Sequence, residues 1–128
     1  MNYLTLEDIL GIRDRTAAAY RDRFEIMNYH GLLSALAAPR RSAFGVELFP
    51  TLVEKAAALV YALIQNHPFW DGNKRIATTA LGLFIRRNGA ELVVSDHELE
   101  AFTTQIASGA LRNGAVAAWI ADHVERQT

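Results

Sequence analysis

Pro68 and Gly72 keep a nine-residue segment, His67 to Arg75, out of regular helix between two apolar helical runs. That break constrains the fold more than any other feature of the chain. Upstream, Leu52, Ala56, Leu59, Val60, Leu63 and Ile64 predict a helix from Thr51 to Asn66. Pro50-Thr51 and Glu54 form a capping box at its start. Downstream, Ile76, Ala77, Ala80, Leu81, Phe84 and Ile85 make one broad apolar face, predicting a helix from Arg75 to Asn88. Gly89 suits the left-handed position that closes it. The two apolar faces must bury against each other, so a polar loop is pinned between two packed helices.

The loop, His67-Pro68-Phe69-Trp70-Asp71-Gly72-Asn73-Lys74-Arg75, gathers a base, a carboxylate, an amide and two cations. The N–H groups of Gly72, Asn73, Lys74 and Arg75 are the expected unsatisfied donors of the following helix. With two side-chain cations beside them, they describe an anion site. His67 is a candidate general base, because imidazole can take a proton at neutral pH. Asp71 is a candidate Mg²⁺ ligand, or alternatively an N-cap. Mg²⁺ needs few protein ligands and takes the rest of its coordination from water and phosphate. Phe69 has no chemistry and is expected to plug into the core and hold the loop. Gly72 permits close backbone approach to a phosphate. Asn73 either donates to phosphate oxygens or ties the loop together. Lys74 offers a point charge and Arg75 a bidentate fork.

The rest of the chain predicts more helices. Thr5 and Asp8 start one that runs to about Tyr20, and Gly31–Ala38 forms a short one stopped by Pro39. Phe24–His30 reads as a connector and Arg40–Leu48 as a loop. Leu92 to Val94 is at most a short extended piece. Ser95 and Glu98 cap a helix through Leu99, Phe102 and Ile106. Val116, Trp119, Ile120 and Val124 suggest a last one. The expected class is all-α, a single domain over residues 1–128 with about six helices and no convincing sheet.

Composition narrows the function classes. The chain has 128 residues, 51% of them hydrophobic and 21% charged, which fits a globule rather than a disordered chain. A net charge of −1 gives no broad basic field, so direct nucleic-acid binding is not expected. No cysteine is present, so disulfides and thiolate metal sites are excluded and a reducing cytoplasm is the expected location. No signal peptide or membrane-length apolar run is visible. The 13 cations divide into eleven Arg and only two Lys, so Lys74 in the loop stands out. Arg13, Arg15, Arg21 and Arg23 alternate with Asp14 and Asp22, either as a solvated face or as a contact surface for a partner or nucleotide. His30, His97 and His123 have no metal-ligand spacing, which disfavours a helical metal phosphohydrolase.

The loop resembles the signature of the Fic family, H-x-F-x-[D/E]-G-N-[G/K]-R. All seven fixed positions are met within nine residues: His67, Phe69, Asp71, Gly72, Asn73, Lys74 and Arg75. Supporting blocks lie at Gly31–Leu36 and Phe49–Ala56, and the likeness runs from about Gly31 to about Val93. Lys74, where most Fic AMP-transferases have Gly, and the short chain resemble the Doc ("death on curing") toxin branch. The resemblance implies a compact Fic-fold helical bundle with the signature loop between two central helices. It implies that His67 deprotonates a target hydroxyl, that Asp71 holds Mg²⁺, and that Gly72, Asn73, Lys74 and Arg75 bind the phosphates of ATP. It also implies that Arg40–Phe49 occupies the position of the flap that aligns the target chain.

Two departures point away from AMP transfer. Fic AMP-transferases carry a second Arg three residues after the first, and Thr78 stands there. In the Doc branch such changes accompany an inverted nucleotide and transfer of phosphate instead of AMP. The implied function is a toxin that phosphorylates a protein hydroxyl, elongation factor Tu being the expected target, with translation blocked. The alternatives are an AMP-transferase and a non-catalytic nucleotide- or antitoxin-binding module. No Glu is followed by Gly or Asn, so the inhibitory pattern [S/T]-x-x-x-E-[G/N] is missing. Inhibition is therefore expected from a separate antitoxin whose tail folds as a helix into a groove, with apolar surface around Trp119 as one place for it.

Overall fold

A computed structural model describes residues 1–21, 24–112 and 114–126. The fold is all-α. Its elements are α1 (Leu6–Tyr20), α2 (Tyr29–Ala37), a 3-10 turn (Ala38–Arg40), β1 (Ser42–Ala43), β2 (Val46–Glu47), α3 (Leu52–Gln65), α4 (Asn73–Arg87), β3 (Ala90–Leu92), α5 (Asp96–Ser108), α6 (Gly114–His123) and β4 (Val124–Arg126). Helix α3 is the centre, packing on α2, α4, α5 and α6. Leu59, Val60 and Leu63 of α3 meet Ile76, Ala80, Leu81 and Phe84 of α4 in one core, all buried. Each such large apolar side chain contributes roughly 1.5–3 kcal/mol relative to exposure.

Local chemistry starts the helices where the sequence places them. Thr5 and Asp8 close a full capping box on α1, and Ser95 and Glu98 close another on α5. At α3 the box is half closed: Thr51 Oγ1 accepts from Glu54 N–H at 3.1 Å and donates to its carboxylate at 2.8 Å. Helix α4 ends at Arg87, and Gly89 takes the left-handed conformation after it, with φ 84°.

Several boundaries differ from expectation. Helix α4 begins at Asn73, two residues early, because Gly72 is its N-cap. The expected loop Arg40–Leu48 contains an antiparallel hairpin, Ser42 opposite Glu47 and Ala43 opposite Val46. Its turn, Phe44-Gly45, holds φ values of 53° and 78°, the paired positive angles of a tight two-residue turn. Lys55 locks the hairpin down. Its side chain is only 2% exposed, and Nζ donates to Glu47 Oε1 on β2 at 2.9 Å and to the Pro39 carbonyl at 3.2 Å. An unpaired ammonium at that depth is costly, so the hairpin stays where its carboxylate is needed.

The last helix does not reach Val124. It stops at His123, and Val124 opens β4, which pairs antiparallel with β3, Leu92 opposite Val124. The extended piece is Ala90–Leu92 rather than Leu92 to Val94, and Val93 N–H still donates to the His123 carbonyl at 2.7 Å. Trp119 is held in a stack. It is sandwiched between Phe102 and His123, with centroids 3.8 and 3.9 Å away.

The ends of α1 and α4 are tied by charge. Arg87 grips Asp8 with two bonds, 2.6 and 2.8 Å. The Arg87 guanidinium, helped by bonds from Thr5 and opposed by burial, holds the Asp8 carboxyl well below its ordinary 3.8. A depressed carboxyl stabilises the fold above its unfolded pKa, and that stability is lost as pH falls through the folded value. Asp8→Asn is therefore expected to cost about 1 kcal/mol at pH 7, a modest figure because Arg87 is partly solvated. The gap between the two proteins should close well below pH 3.8. Urea melts across that range check this, and a gap that stays constant with pH would contradict it.

Candidate active site

The signature loop leaves α3 under strain. Asn66 caps the helix, sending Nδ2 to the Gly31 carbonyl at 2.9 Å, while its own carbonyl accepts from Asn28 Nδ2 at 3.0 Å. His67 follows in the left-handed region, φ 48°, at the position where a helix usually places glycine. A side chain there costs roughly 1–2 kcal/mol. Such strain survives only where the surroundings enforce it.

The enforcement comes from the connector between α1 and α2. Residues 24–28 run beside the loop as a short brace. The Pro68 carbonyl accepts from Met27 and Asn28 N–H, Ile26 bridges to Phe69, and Trp70 N–H donates to the Glu25 carbonyl at 2.9 Å. Phe69 is fully buried. Asn73 closes the loop from inside. It accepts from Phe69 N–H at 3.0 Å and donates to the Phe69 carbonyl at 2.8 Å. The same amide nitrogen faces His67 Nδ1 at 3.0 Å. Because Phe69 fixes which end of the amide is which, Nδ1 is the acceptor in that contact.

Gly72 is required twice. Its φ is 78°, and a Cβ there would lie 2.6 Å from two ring carbons of Phe24. The missing side chain makes room for a buried aromatic ring of the brace. Gly72 N–H donates to Asp71 Oδ1 at 2.8 Å, so it is not one of the free donors. Among the described residues, the N–H groups of Asn73, Lys74 and Arg75 have no partner, since Ile76 N–H makes the first bond of the helix. Asp71 is exposed and keeps its second oxygen. Trp70 is 64% exposed.

Lys74 and Arg75 line a cleft of about 590 Å³ between α1, α4 and α5. Thr78 and Thr79 continue its α4 wall, Arg15, Thr16 and Tyr20 form the α1 wall, and Asp96, Leu99 and Glu100 the α5 wall. Lys74 Nζ lies 3.4 Å from Thr104 Oγ1. Thr78 Oγ1 donates to the Lys74 carbonyl at 2.7 Å, so its hydroxyl is turned back onto its own helix. His67 and Asp71 do not line this cleft. The start of α4 thus carries Lys74 and Arg75 into the cleft lining, while His67 and Asp71 are exposed in the loop just before it.

Residues 3–85 match the family model described as the Fic/DOC family. The chain belongs to the Fic/DOC family. Toxin Doc of Mycolicibacterium smegmatis is 38% identical over 90 residues, covering 70% of this chain and 67% of that protein. Protein kinase doc of Escherichia phage P1 is 28% identical over 117 residues, 91% of each chain. The Fic/DOC match spans α1 to α4 and contains the whole signature loop. Helix α5, which supplies the acidic wall of the cleft, lies beyond it.

Among the described residues no group of three or more His, Asp or Glu could hold a metal by itself. Asp71 fits a Mg²⁺ that has a single protein ligand: it is a hard oxygen donor with one oxygen uncommitted, next to donors suited to phosphate. No helix among the described residues is long and apolar enough to cross a membrane.

Sequence reasoning missed three participants. Phe24 and Asn28 brace the loop, and Tyr20 contacts Arg75. Arg15 belongs to the run of charges in which Asp22 and Arg23 lie outside the described residues; among the described members of that run it alone lines the cleft. Arg13 instead bonds Asp14 and the Phe24 carbonyl.

Proposed function

We propose that this Fic/DOC chain is the toxin of a toxin–antitoxin pair, a transferase that moves the γ-phosphate of ATP to a protein hydroxyl. The observation that carries the reading is one helix start preceded by a strained, exposed His67 and carrying two cations, Lys74 and Arg75, that line a cleft. Two relatives, one named a toxin and the other a protein kinase, support it. Elongation factor Tu is the target that the resemblance implies, and a separate antitoxin is the implied inhibitor.

In this reading the free N–H groups at the start of α4, with Lys74 and Arg75, bind the phosphates. The turn at Gly72 aims those donors, and Asn73 and Phe69 keep the loop rigid. Asp71 holds Mg²⁺, which when bound neutralises charge on the phosphate oxygens. His67 takes the proton of the target hydroxyl as its oxygen attacks phosphorus, and the bond to ADP breaks. A neutral ring that accepts from Asn73 at Nδ1 carries its proton on Nε2. To take a proton at Nε2, the ring must first exchange tautomers and give up Asn73. The hairpin β1–β2 is proposed to align the target chain.

Thr78 distinguishes phosphate from AMP transfer. It offers a hydroxyl already turned back to Lys74, where a second guanidinium would grip a triphosphate in the other direction. Mass spectrometry of translation factors incubated with the protein and ATP is expected to find added phosphate. Lys74→Gly is expected to weaken that transfer, and Lys74→Gly with Thr78→Arg to open a route to added AMP. Strong AMP addition by the unaltered protein would overturn the phosphate reading.

A further inference from the structure

Arg75 stands in a cleft with two carboxylates, Asp96 and Glu100, yet among the described residues it forms no ion pair with either. Its partner is Tyr20, the last residue of α1. The guanidinium carbon sits 4.0 Å from the centre of the Tyr20 ring, and Nη1 donates to the phenolic oxygen. Tyr20 is 54% exposed, so packing of the ring into the core does not explain the contact.

We infer that Tyr20 is a positioning residue for Arg75, holding its guanidinium at the cleft wall with the charge left over for an anionic ligand. A carboxylate would neutralise the charge and occupy the fork. An aromatic face attracts the cation through its quadrupole and leaves most of the five in-plane N–H donors open. A free arginine at an exposed helix start samples many rotamers, and ordering it on binding weakens affinity. Tyr20 removes part of that cost before the ligand arrives. The contact also joins α1 to the start of α4, so the phosphate fork is set by tertiary packing and not by the signature loop alone.

This inference rests on the reading that Arg75 binds the phosphates of ATP, and a double-mutant cycle separates the two. The readout is the dissociation constant of a non-hydrolysable ATP analogue in Mg²⁺ buffer, by calorimetry, with no protein target present. Tyr20→Leu, which keeps bulk but loses ring face and hydroxyl, is expected to weaken binding about 5–20-fold. Tyr20→Phe, which loses only the hydroxyl, should weaken it about 2–5-fold. In an Arg75→Ala background Tyr20→Leu should have no further effect, because there is nothing left to position. If Arg75→Ala weakens binding but Tyr20→Leu alone does not, or loses the same factor in both backgrounds, Tyr20 does not position Arg75. If Arg75→Ala binds as tightly as the unaltered protein, the phosphate role of Arg75 fails and takes this inference with it. Tyr20 is at the surface, and an unchanged thermal melt checks that the variants fold.

Discussion

His67→Ala is expected to lower phosphate transfer by roughly 10²–10⁴-fold, the usual cost of removing a general base. Stability should hardly change, because His67 is exposed at a helix end and buries no apolar surface. A sharper version uses the backbone. At φ 48° glycine is relaxed where histidine is strained. His67→Gly should therefore abolish transfer and also raise stability, by about 1 kcal/mol less whatever the lost contact with Asn73 contributes. A residue kept for stability would show the opposite pattern. Urea melts of the three proteins, alongside transfer assays, read both effects. Should His67→Ala retain nearly full transfer, the base is another group.

Gly72→Ala is expected to damage both the fold and the loop. Two effects add. The residue sits at φ 78°, where a Cβ costs roughly 1–2 kcal/mol. That Cβ would also lie 2.6 Å from the Phe24 ring, which is 4% exposed and has nowhere to retreat. Overpacking of this kind costs typically about 1–3 kcal/mol. A total near 3 kcal/mol is expected, together with loss of transfer, since moving Phe24 or Gly72 loosens the loop that carries His67. Gly82→Ala is the control. It lies inside α4, its added Cβ would meet nothing within 4 Å, and it should stabilise by up to about 1 kcal/mol. Equal urea midpoints for the two variants would show that Gly72 is not constrained as described.

The helices were legible because their signals are local. Thr5 with Asp8, Ser95 with Glu98, and the apolar faces of Thr51–Asn66 and Arg75–Asn88 act over three or four residues, within the reach of one helical turn. The signature residues were legible too, since their types and spacing carry the chemistry wherever they sit. The hairpin at 42–47 was missed because its strands are two residues each, too short for any alternation, and because its hold comes from Lys55 in another element. Val124 was misassigned because an apolar residue one turn past Ile120 satisfies a helical pattern. Its backbone pairs instead with Leu92, thirty-two positions away. The start of α4 slipped by two residues because Asn73 reads as a loop residue, while its side chain is in fact bonded back to Phe69.

The sequence by itself determined the class of fold, the family, and the set of reactive groups between His67 and Arg75. Those follow from side-chain chemistry and from periods of a few residues, and they need no knowledge of distant contacts. Only the tertiary structure decided what each of the groups contacts. Asn73 is turned inward to Phe69 and His67, the Gly72 N–H is taken by Asp71, and Lys74 and Arg75 face a cleft whose other walls come from α1 and α5. The reason is that a loop backbone has too few bonds of its own to hold a strained conformation. Its shape is set by the brace at 24–28, by the Phe24 ring over Gly72, and by Tyr20 against Arg75, all contributed by segments more than thirty residues upstream.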